Sequence, residues 1–131
     1  FYRDALLDIQ TIIFYNKRDW LGLTNAVEKY LKGNTLVPIR LNEFAWSIFK
    51  GSSDRKILLK ALHWSKMCFE KEDQKNPVYI DTYANLLYKL GRKVQALKWE
   101  NKAQKFAIKQ GETADWGQDI IDKMSRGEKT W

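Results

Sequence analysis

The sequence predicts an all-α chain, a right-handed α-solenoid of about three helical hairpins near residues 2–33, 38–72 and 77–110, followed by a capping helix near 113–125. Two observations carry this prediction. Along Tyr79–Ala107, Ile80, Tyr83, Ala84, Leu87 and Leu90 recur at three- and four-residue steps, and after Gly91 the pattern resumes as Ala96, Trp99, Ala103 and Phe106. Gly91 can close a helix in the left-handed conformation without a Cβ penalty, and Ala84 and Ala96 are small enough for two backbones to approach closely. The second observation is a repeat. Sliding the chain back by 35 residues superposes Ala61 on Ala96, Leu62 on Leu97, Trp64 on Trp99 and Cys68 on Ala103. The preceding helices superpose Phe44-Ala45 on Tyr83-Ala84 at an offset of 39, which assigns about four extra residues to the earlier turn, in Gly51–Asp54.

The remaining elements follow in chain order. Residues 2–17 carry Ala5, Leu6, Ile9, Ile12, Ile13 and Phe14 on one wide apolar stripe and form the first helix. Asp19 is placed to cap a second, in which Trp20, Leu23, Ala26 or Val27, Tyr30 and Leu31 keep the spacing until Gly33-Asn34 stops it. The third starts near Pro38, suited to a first helical turn, and presents Leu41, Phe44, Ala45, Ile48 and Phe49. Ser53 or Asp54 caps the fourth, expected to run to about Glu72, and Pro77 heads the fifth. Gly111 closes the sixth. Thr113 is placed to cap a short seventh helix with Trp116, Ile120, Ile121 and Met124, ahead of the polar tail Ser125–Thr130 and Trp131. A lone final helix is what a solenoid needs to cover its last exposed face.

The hairpin at Tyr79–Ala107 has a tyrosine and small residue in its first helix, L-G before the turn, and alanine, aromatic and alanine at helical spacing in its second; it resembles a tetratricopeptide repeat. The repeat spacing agrees with the period of about 34 residues typical of that unit. Lys93 stands where that family usually has an aromatic residue. Taken together, L-N-E-F-A-W (Leu41–Trp46), D-T-Y-A-N-L-L-Y-K-L-G-R (Asp81–Arg92), A-L-K-W-E-N-K-A (Ala96–Ala103) and the terminal K-M-S-R-G-E-K-T-W are similar to the helical C-terminal region of Bacteroidetes thioredoxin-family proteins. That resemblance implies an upstream thioredoxin-like domain, export to the periplasm, and an appended role in binding a partner or positioning a substrate. The chain begins with Phe1, in keeping with a mature form or an excised part of something longer.

Composition narrows the chemistry. The single cysteine, Cys68, excludes a disulfide or C-x-x-C site within these residues, and its alignment with Ala103 makes it a packing thiol. One histidine, His63, cannot build a zinc site with one cysteine and falls at the surface or its boundary. There is no nucleophile–base pair, phosphate-cradling glycine loop or metal cluster, so the expected function is non-catalytic and needs no cofactor. No apolar run approaches the roughly 20 residues that span a bilayer. Net charge is +7, and seven of the basic residues against one acidic lie within Lys89–Lys109. Lys98, Lys102, Lys105 and Lys109 share one helical face, either simply solvated or facing an acidic protein; no motif accompanies them that would point to nucleic acid.

In a tetratricopeptide array the first helix of each hairpin lines the concave groove. Stepping round from the packed small residue places Asn42, Trp46, Phe49 and Lys50 of the third helix, and Asp81, Asn85, Tyr88 and Lys89 of the fifth, on that surface. The aromatics suit stacking on a peptide, and the amides and lysines suit bonds to its backbone or carboxylates. The expected partner is a protein or peptide, acidic in character, or an upstream domain of the same polypeptide. The bland alternative is that Trp46 and Phe49 pack against the first helix and the chain is a structural extension.

Overall fold

The turns in the sequence fall where short side chains can take over the duties of the backbone. Asp19 accepts the Gly22 N–H at 2.8 Å, Asp54 those of Lys56 and Ile57 at 2.9 and 3.2 Å, and Asn76 those of Val78 and Tyr79 at 3.0 and 3.4 Å. Each satisfies N–H groups that the first helical turn leaves without partners. The computed structural model describes residues 2–131, and they form seven helices with no strand among the described residues. These are α1 (Tyr2–Asn16), α2 (Trp20–Leu31), α3 (Pro38–Gly51), α4 (Arg55–Met67), α5 (Pro77–Lys89), α6 (Lys93–Lys109) and α7 (Gln118–Arg126). Pro38 and Pro77 stand in first turns, and Gly91 joins α5 to α6 with φ 85°. Among the described residues no helix is long and apolar enough to cross a membrane.

Consecutive helices pack in pairs, α1 on α2, α3 on α4 and α5 on α6; α2 also meets α4, α3 meets α5, α4 meets α5, and α7 lies on α6. The core is centred on the fully buried Trp64, Phe49, Ile48, Ile80 and Leu86. Each such side chain stabilises the fold by about 1.5–3 kcal/mol relative to an exposed one. The indole N–H of Trp64 donates to Glu28 Oε1 at 2.6 Å, satisfying its one polar atom and tying α4 to α2. Cys68 packs at 1% exposure, and burial pushes its thiol up to about 12.

Four expectations need correction. The stripe assigned to α1 is not its core face: Leu7 and Thr11 are buried, whereas Leu6, Ile9, Ile12 and Ile13 are between 40% and 60% exposed. Gly51 belongs to α3 rather than to the turn; a Cβ there would lie 2.1–2.7 Å from three atoms of the Trp20 indole, so the position is glycine because another ring occupies that space. Helix α4 ends at Met67 instead of near Glu72, since the chain must leave the helix to deliver Phe69 into edge-on contact with Tyr83 and Trp99, at centroid distances of 5.4 and 5.6 Å. Helix α7 starts at Gln118 rather than at Thr113. The Thr113 hydroxyl instead donates to Asp115 at 2.7 Å, and Gly117 takes a left-handed φ of 73° where a Cβ would come within 3.3 Å of Glu100.

Candidate functional site

The eight groove residues separate into a surface group, an interior group and two outliers. Trp46, Phe49, Tyr88 and Lys89 come together where the C-terminal end of α3 meets that of α5. Trp46 is half-buried and stacks on Phe49 with centroids 4.8 Å apart, an offset pairing that positions both rings. Lys89, in the last turn of α5, donates to the Phe49 carbonyl at 2.6 Å, placing a cation against one of the end carbonyls of α3. Burial, and then the nearby Lys129, hold the Lys89 ammonium below the usual lysine range.

The tail after α7 completes this group. Gly127, left-handed at φ 73°, ends α7 and turns the chain back across α5. The Tyr88 hydroxyl donates to the Glu128 carbonyl at 2.7 Å, and the Trp131 ring meets Phe49 and Tyr88 edge-on at 6.1 and 6.3 Å. Lys89 Nζ stands 4.9 Å from the centre of the Trp131 ring and 5.5 Å from that of Phe49, a cation held between two aromatic faces. Phe49 is fully buried in this arrangement, so it is a floor rather than an open wall as the spacing suggested.

Asp81 and Asn85 turn inward. Asn85 is fully buried, not surface-lining as expected, and its amide donates to the Asp81 carbonyl and carboxylate at 2.9 and 3.1 Å. Their interior neighbour is Glu100 of α6, also fully buried, which is hydrogen-bonded to Asp81. Two carboxylates have no donor between them, and neither Glu100 oxygen has another partner. A single proton held between them would satisfy the pair. Burial first, and then the Asp81 carboxylate, push Glu100 up to about 10, so it stays protonated at neutral pH and donates to Asp81. The remaining two residues join neither group: Lys50 is exposed on a cleft with Tyr15, Arg18 and Trp20, and Asn42 is half-buried with its Oδ1 unpaired.

Two contributors escaped the reading of the sequence, although each leaves a trace in it. Glu100 is the odd member of the step Ala96, Glu100, Ala103, Ala107, the stripe that α6 buries most deeply. Trp131 is a lone large aromatic beyond a polar run, and such a ring must find an apolar surface. The lysines at 98, 102, 105 and 109 are all exposed, and Lys102 lies over the Trp99 ring at 4.7 Å. Comparison with known proteins matches the chain to no family model, no curated protein and no solved structure.

Proposed function

We propose that the chain is a non-catalytic helical-repeat module, a right-handed solenoid of tetratricopeptide-like hairpins, that binds an extended protein segment where α3 meets α5. One observation carries this reading: these side chains already hold a stretch of polypeptide, Glu128–Trp131, that is neither helix nor strand. Tyr88 takes a backbone carbonyl, while Lys89 and Phe49 take an indole ring. Backbone bonding plus a pocket for one side chain is a general way to recognise an extended segment. The contacts of α2 with α4 and of α3 with α5 support stacked repeats. The exposed lysine face of α6 supports an acidic partner, whose encounter it would speed. Placement behind a thioredoxin-like domain in the periplasm rests on the sequence resemblance.

A second reading, a structural extension packed on an upstream domain, is favoured by the exposed Leu6, Ile9, Ile12 and Ile13 on α1. The two are separated by selecting displayed peptides on the full chain and testing the winners on the double variant Tyr88→Phe with Lys89→Met. The groove reading expects the variant to bind them about tenfold more weakly, the scale of one charge-assisted hydrogen bond, while remaining folded with a thermal midpoint lowered by no more than the loss of its two internal hydrogen bonds accounts for. Peptides that bind both proteins equally, or a selection that enriches nothing, would leave the structural reading standing.

A further inference from the structure

We propose that Glu128–Trp131 is a built-in occupant of the groove, and that the partner is an extended segment with an aromatic residue at the place of Trp131 and an acidic one at the place of Lys129, which displaces the tail. This deepens the groove reading and rests on it.

The tail is positioned well and held lightly. Gly127 directs it across α5, Tyr88 fixes one carbonyl, and Phe49, Tyr88 and Lys89 receive the ring. Yet Trp131 is still 41% exposed, Glu128 and Lys129 are exposed, and no helix or strand pins the segment. Two of its residues suit the site poorly. Lys129 stands over the Trp131 ring at 5.7 Å while Lys89 stands over the same ring at 4.9 Å, so two ammonium groups share one indole. Burial first, and then Lys129, hold the Lys89 ammonium below its usual range, the second in the sense of that repulsion. Thr130 buries a hydroxyl that has no hydrogen-bond partner, an arrangement that opposes burial. A segment with aspartate or glutamate in place of Lys129 converts the repulsion into attraction, and one with valine in place of Thr130 fills the same space without an unpaired hydroxyl. The tail therefore has the shape of a ligand without its best chemistry, as an occupant that must yield requires.

The test uses two blocked peptides, acetyl-Glu-Lys-Thr-Trp-amide and acetyl-Glu-Asp-Val-Trp-amide, titrated into the full chain and into Trp131→Ala, Lys129→Glu and Lys89→Ala. The acidic peptide is expected to bind the wild-type chain more tightly than the basic one, by a margin that shrinks as salt is raised. Removing the competing ring in Trp131→Ala should tighten binding of the acidic peptide at least about fivefold, because the fraction of open grooves rises. Lys129→Glu gives up only the Lys129 contact with the Trp131 ring, keeps those that Phe49, Tyr88 and Lys89 make to the tail, and should weaken peptide binding, since the tail then holds the groove better; this variant decides the matter if Trp131→Ala proves unstable. Equal affinities across wild type, Trp131→Ala and Lys129→Glu, with binding lost in Lys89→Ala, would overturn the displacement and leave the groove reading intact. A basic peptide that binds as well as the acidic one would overturn the stated partner chemistry. Failure of both peptides on every form would sink both readings.

Discussion

Helices α1 and α5 each open a hairpin and have similar apolar character, yet they bury opposite shares of it. In α5, Tyr79, Ile80, Thr82, Ala84, Asn85, Leu86 and Leu87 are all buried, because α3, α4 and α6 press on it from several sides. In α1 only Leu7 and Thr11 are buried, and the isoleucines face outward. Periodicity states that a helix has an apolar stripe; the neighbours decide whether that stripe is core. The same difference appears in how polar groups are handled. Thr11 turns its hydroxyl back to the Leu7 carbonyl at 2.8 Å, a local solution that Thr82 and Asn85 of α5 share, but α5 must also accommodate the buried Glu100 of α6 against Asp81.

The comparison breaks first if Ile80→Ala is tolerated. Ile80 is fully buried, so its truncation should destabilise the chain by about 2–5 kcal/mol, seen as a large drop in the denaturant midpoint. The acid pair offers a sharper test. Glu100 lies near 4.5 when unfolded and at about 10 when folded, so the folded state binds the extra proton between those values. The contribution of this group to stability is therefore fullest below about 4.5 and is lost as pH rises through the neutral range towards 10. Glu100→Gln keeps a donor for Asp81 and cannot ionise; it should raise the thermal midpoint at pH values above neutrality and flatten the pH profile. A variant less stable than wild type at high pH would show that the carboxylate, not the acid, belongs there. The smallest effect is expected on α1, where Ile9→Ser and Ile12→Ser should each shift stability by no more than about 0.5 kcal/mol. A loss as large as that of Ile80→Ala would mean that the exposed stripe is packed in solution.

Where two patterns constrained each other the sequence was a sufficient guide. The Gly91 turn, the caps Asp19 and Asp54, the prolines at the helix starts and the packed Cys68 all follow from local rules that tertiary structure had no reason to override. The grouping of Trp46, Phe49, Tyr88 and Lys89 was legible for the same reason, since they share a helical phase on adjoining helices, with Phe49 buried beneath the others. Asp81 and Asn85 share that phase too, but Asn85 is fully buried and bonds Asp81, which lies beside Glu100 of α6, and helical phase carries no information about such neighbours. Trp131 is harder still, since its place depends on the direction in which Gly127 sends the chain rather than on any periodicity.

Gly51 and Trp20 show how separate hairpins are made to act together. The indole of the first hairpin lies where a side chain of the second would be, so the two units are matched by an omission. Any methyl at that position must push a rigid ring, and with it α2, away from its neighbour. Cooperative unfolding requires that each unit lose something when the next one opens. At this junction the thing lost is a close fit, which adds to the bonds that Trp64 and Arg40 make to Glu28 and Asp8, so displacing the ring loosens the seam between residues 2–31 and the rest of the chain without cutting it.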